Sequence, residues 1–136
     1  MIIDNIIQEF KDQGVELNSG TFEKDISDLE LHLNFKFKDD FKEFYKKVNG
    51  FKKRDWTKGM FSIFPLERIK EEYDLKKGKN SNINFIPFCD FLINSHWLGF
   101  LRDKEGVYKY DDEPEKISNT FEETLLLILE GSEKIY

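Results

Sequence analysis

The stretch Phe35–Gly50, FKFKDDFKEFYKKVNG, constrains the fold more than any other part of the chain. Phe41, Phe44, Tyr45 and Val48 recur at i, i+3, i+4 and i+7, which sets four large side chains on one face of a helix. Asp39 and Asp40 fall in its first turn, where the helix dipole favours negative charge. Asn49-Gly50 is expected to take the left-handed conformation that ends the helix and satisfies its last carbonyls.

Helices are expected on both sides of this one. Ile3, Ile6, Ile7 and Phe10 make a helical stripe that ends at Gly14, and Phe22, Ile26, Leu29 and Leu33 make a second. Residues 51–60, FKKRDWTKGM, are polar around a single Trp and read as a loop. Phe61–Phe64 reads as a short strand, after which Pro65 suits the entry to a helix through Leu66, Ile69 and Tyr73. Lys76–Asn84 is a polar linker. Ile83–Phe88 and His96–Arg102 read as strands, and Asp103–Gly106 as a hairpin turn into a strand Val107–Tyr110. Thr120-Phe-Glu-Glu123 has the capping-box pattern of a helix start. The apolar run Leu125–Leu129 that follows is expected to be buried all round. Helices at both ends with strands between predict an α+β domain, a central antiparallel sheet with helices packed on it.

The length of 136 residues fits one domain, 1–136, with a proper core. Fourteen Phe, five Tyr and two Trp supply wide side chains able to fill that core with few elements. One Cys excludes an internal disulfide framework and fits a reducing compartment. No apolar run approaches the roughly 20 residues of a membrane span. The N-terminus carries Asp4 and no early Lys or Arg, unlike a secretory signal, so the cytoplasm is the expected location. A net charge of −6 argues against direct nucleic-acid binding, which needs a positive face. Lys52-Lys53-Arg54 and Lys76-Lys77-Gly78-Lys79 are the only basic clusters, and both read as solvated loops.

Five weak motifs in order carry a family likeness. Leu29-Glu30 precedes Phe35 and Phe37; the aromatic helix with Tyr45 leads to Asn49-Gly50; FIPFCDF holds a Pro-Phe step; GVYKYD follows; and ISNTFEETLLLIL closes the series. This order resembles the SUKH superfamily, which contains the yeast cell-wall-synthesis regulators and many bacterial immunity proteins. The likeness spans roughly residues 22–130 and implies the same arrangement, a SUKH-like single domain with a central antiparallel sheet and helices packed against it. Lys38 stands where the family has a helix-starting Pro, and Leu92–His96 replaces a Gly-rich segment. The resemblance implies a non-catalytic protein that binds and neutralises a cognate polymorphic toxin, often a nuclease. The alternative it implies is a regulatory adaptor of the cell-wall-regulator type.

Catalytic chemistry has little to stand on. Cys89 and His96 could form a nucleophile–base pair, but an apolar strand around Cys89 reads as core. His32 borders the Leu29/Leu33 stripe and reads as an edge-of-core residue. Two His and one Cys, widely spaced, cannot close a zinc site, and Asp111-Asp112-Glu113 lacks the alternating ligands of a calcium loop. No phosphate-binding glycine motif is present, and no cofactor or metal is expected.

A protein partner is therefore the expected ligand. Trp56, in a segment without periodicity, is either an exposed anchor or a lid on the core. His96 and Trp97 open a strand, and Trp97 leans towards the core. Asp90, Asp111, Asp112 and Glu113 would supply an acidic rim if the strand ends bearing them converge, as the resemblance implies.

Overall fold

The computed structural model describes residues 2–77, 84–92 and 95–136, the side chains of 76 and 77 excepted. The N-terminal stripe forms α1 (Ile2–Asp12), which buries Ile3, Ile6, Ile7 and Phe10. A short strand β1 (Leu17–Ser19) then leads to α2 (Glu23–Leu33), and its buried side chains include Ile26, Leu29 and Leu33. Phe22 does not belong to that stripe: it precedes the first helical turn and is 80% exposed. Its extended backbone, φ −87° and ψ 157°, leaves it outside the helical period that carries Ile26, Leu29 and Leu33 onto the core.

α3 (Asp39–Lys47) buries Phe41, Phe44 and Tyr45, but it ends earlier than the Asn-Gly pair suggests. Val48 is already extended and starts β2 (Val48–Phe51), which pairs antiparallel with β1. Gly50 does adopt a positive φ of +68°, inside this strand. A side chain there would meet the Phe64 carbonyl and the Pro65 nitrogen at 2.5 Å, so the residue is fixed by close approach of two chain segments.

The remaining strands form a five-stranded antiparallel sheet in sequence order: β3 (Phe61–Ile63), β4 (Phe85–Phe91), β5 (His96–Leu101), β6 (Lys104–Tyr110) and β7 (Pro114–Ser118). α4 (Leu66–Lys77) separates β3 from β4, and α5 (Phe121–Glu130) follows β7. The strand read from Ile83 begins at Phe85 and runs three residues past Phe88, while Ile83 lies outside the described residues. The β5–β6 turn is tighter than expected, because Lys104 already pairs with Leu101. β1 and β7 were not legible as strands. At α5 the Thr120 hydroxyl caps the Glu123 N–H at 3.0 Å as its pattern predicts, but Leu126 is 38% exposed, so the helix is not buried all round.

Strand alternation divides the apolar side chains between two faces. Leu98 and Phe100 of β5 join the main core with Phe88, Val107 and Ile117. Phe121 centres that core, with ring centroids 5.1 Å from Phe41 and 4.9 Å from Phe88, both edge-on, the geometry aromatic quadrupoles prefer. Phe85, Leu101 and Tyr108 form a second cluster, joined by Trp97 and Tyr110. Gly99 makes room for it: a side chain there would lie 2.8 Å from the Phe85 ring and 2.2 Å from the Ile86 carbonyl.

Candidate protein-binding surface

One row of register partners, Ser62, Asp90, Trp97, Tyr110 and Pro114, crosses all five strands near one end of the sheet, and Phe61, Phe91 and His96 pair just outside it. Everything beyond this row projects from the same end. The turn Asp111–Glu113 lies there, joining β6 to β7, and all three carboxylates are exposed. Leu92, just past β4, is 47% exposed, and Tyr136 is 43% exposed.

Of the residues singled out from sequence, two are withdrawn from the surface by burial. Asp90 lies within the row, opposite Trp97, is 4% exposed, and accepts a hydrogen bond from Arg68 Nη2 at 2.9 Å. Arg68 also reaches Glu72 at 3.3 Å and lies 4.0 Å over the Phe64 ring. A carboxylate so enclosed ties α4 to the sheet and cannot act as rim. His96 is 8% exposed, and its Nε2 donates to the Ile135 carbonyl at 2.9 Å. Burial holds its pKa below the usual imidazole value. Trp97 is half-buried in the second cluster. Trp56 is exposed at 41%, beside the edge strand β3, where Thr57 N–H donates to the Phe61 carbonyl at 2.9 Å. The lid alternative for Trp56 therefore fails. Asp111, Asp112 and Glu113 come together; Trp56 stands three to four strand spacings away, roughly 14–19 Å.

Sequence reasoning missed the C-terminal segment. Ile135 is fully buried, and the Tyr136 ring packs 5.3 Å from Phe61 and 5.2 Å from Phe91. Its main-chain oxygen accepts from Lys109 Nζ at 2.7 Å. Nothing in the residues EKIY has periodicity, so only the row of aromatic neighbours could reveal the site.

Cys89 is fully buried, and burial pushes its thiol well above its ordinary pKa, away from the nucleophilic thiolate. Among the described residues, no group of three His, Cys, Asp or Glu side chains is placed to hold a metal ion. His32 is more exposed than an edge-of-core residue and bridges α2 to α4 through Asp74 at 2.9 Å. Among the described residues no helix is long and apolar enough to cross a membrane. Gly78 and Lys79 of the second basic cluster, and Ile93 and Asn94 of the segment before His96, lie outside the described residues.

Two residues of the five weak motifs, Glu30 and Asn49, prove to be joints between elements. Glu30, 6% exposed, accepts from the Phe37 N–H at 2.8 Å and so holds the approach to α3. Asn49 accepts from the Leu66 N–H at 2.8 Å, which supplies a partner to a free amide at the start of α4. Its amide donates to Glu67 at 3.1 Å. The fold is of the α+β class, with an exposed acidic turn at one end of its larger sheet. The model of the SMI1 / KNR4 family (SUKH-1) matches residues 20–126, and the chain belongs to that family. Its members are generally non-catalytic immunity or regulatory domains associated with protein–protein interaction. No curated protein matches the chain.

Proposed function

We propose that this chain is an immunity protein that binds a cognate bacterial toxin domain in the cytoplasm and neutralises it by covering its active site. The observation that carries the reading is the Asp111–Glu113 turn, three consecutive exposed carboxylates at the end of the sheet where Leu92 and Tyr136 are also exposed. An enzyme that acts on nucleic acid presents a basic cleft to its substrate. An acidic turn on an end of the sheet that also exposes apolar side chains complements such a cleft, and the net charge of −6 steers it there. Family membership supports the same reading and also allows a regulatory adaptor.

The test is growth rescue. The C-terminal domain encoded by the adjacent upstream gene is expressed with and without this chain. Rescue is expected, and it should be lost when Asp111, Asp112 and Glu113 are changed together to Asn, Asn and Gln. Phe22→Ser, at an exposed position before α2, should still rescue. Toxicity without rescue, or no toxicity, favours the adaptor.

A further inference from the structure

The Lys52–Arg54 turn is built rather than loose. Lys53 and Arg54 both take positive φ, +54° and +59°, a region that L-residues other than Asn and Asp rarely enter. Asp55 holds the turn with four hydrogen bonds. Its carboxylate accepts from the Glu16 N–H at 2.8 Å and the Trp56 N–H at 2.9 Å. Its N–H donates to the Lys52 carbonyl at 3.0 Å, and its carbonyl accepts from the Ser62 hydroxyl at 2.6 Å. The effect is to turn three cations outward next to an exposed indole. Lys52, Lys53 and Arg54 are exposed and make no ion pair among the described residues. Strained backbone over-determined by its neighbours is a mark of a prepared binding surface.

We infer that Lys52, Lys53, Arg54 and Trp56 form a second docking surface, for a protein segment that carries spaced carboxylates and an apolar side chain. Trp56 gives the apolar side chain a flat face, and the cations take the carboxylates. The charge around the turn selects this partner over nucleic acid. Glu16 and Asp55 line the hollow beside Trp56, and Glu67 and Glu71 line the one on the far side of Lys53 and Arg54. A continuous phosphate backbone would run against these carboxylates, whereas a peptide can set neutral residues opposite them. The surface flanks β3, at the other edge of the sheet from the acidic turn, and stands independently of it.

The test is chemical-shift mapping on the full chain with two probes, a short synthetic peptide repeating Glu-Leu-Ser and an oligothymidylate. The peptide should move the Trp56 indole N–H and the amides of residues 52–56, and added salt should weaken it. Changing Lys53 and Arg54 together to Ser should reduce its affinity about tenfold, a loss of about 1.4 kcal/mol. Trp56→Ala, at an exposed position, gives the same loss if the double variant does not fold. Three results overturn the inference: the oligonucleotide binds these residues more tightly than the peptide, neither probe moves them, or both variants bind as well as the parent.

Discussion

The Tyr45 hydroxyl donates to the Phe64 carbonyl at 2.6 Å, a fully buried hydrogen bond between residues of α3 and the β3–α4 junction. Burial also drives the Tyr45 pKa well above its ordinary value, so the proton stays on the phenol. Asn49 and Gly50 meet the same junction from β2. Tyr45→Phe removes the donor and leaves a buried carbonyl unpaired, which costs about 1–3 kcal/mol. Urea denaturation should show the lower midpoint with an unchanged slope; an unchanged midpoint would mean that the carbonyl finds another partner.

Glu30 makes a similar joint with charge. Its carboxylate takes the Phe37 N–H and lies 3.8 Å from Lys42 Nζ. Glu30→Ala strands that amide and should cost about 1–3 kcal/mol, while Glu30→Gln keeps an acceptor and should cost less. Thermal melts of the two variants in parallel test the ordering, which a purely electrostatic role for Glu30 would remove.

The Arg68–Asp90 pair is buried on both sides, at 8% and 5% side-chain exposure. Asp90→Ala removes the acceptor of the buried Arg68 Nη2 hydrogen bond while Glu72 still neutralises the guanidinium from 3.3 Å, so it should destabilise the fold by about 1–3 kcal/mol. Replacing Asp112, in the exposed turn, should change stability by less than about 0.5 kcal/mol. A near-neutral Asp90→Ala melt would show that Asp90 is not the structural tie described above.

Stability should depend on pH through His96. Its folded pKa lies below the unfolded value of about 6.5 because burial disfavours the cation. The unfolded chain therefore binds the proton more readily. The stability present above about pH 6.5 is lost as pH falls through that value towards the folded pKa. Urea midpoints across this range should fall for the parent chain, and His96→Gln, which keeps a donor for Ile135, should flatten the decline. Equal slopes for the two proteins would assign the pH dependence elsewhere.

Helix faces and the main strands were legible because their signal is local. The period of Ile3, Ile6, Ile7 and Phe10, or of Phe41, Phe44 and Tyr45, records burial directly. β1 and β7 were not: each is an outer strand of its sheet, and β7, PEKIS, has only Ile117 and Ser118 buried. Their strand character comes from the hydrogen bonds a neighbouring strand offers, not from an apolar pattern. The Asn-Gly pair misled for a related reason. Its residue types suit a helix end, but here they serve a contact with a segment 14–17 residues further along the chain.

The same division holds for the candidate surface. The sequence by itself determined the α+β class, the aromatic core, the acidic balance and the order of motifs that marks the family, because each depends on residue type and short-range spacing. Tertiary structure alone decided which charges face water. Asp90 within β4 and Asp112 just past β6 are the same residue type, yet one is enclosed with Arg68 and the other is exposed on a turn. Burial of a charge depends on what the rest of the chain packs against it, and strand register, set by pairing across the sheet, fixes that.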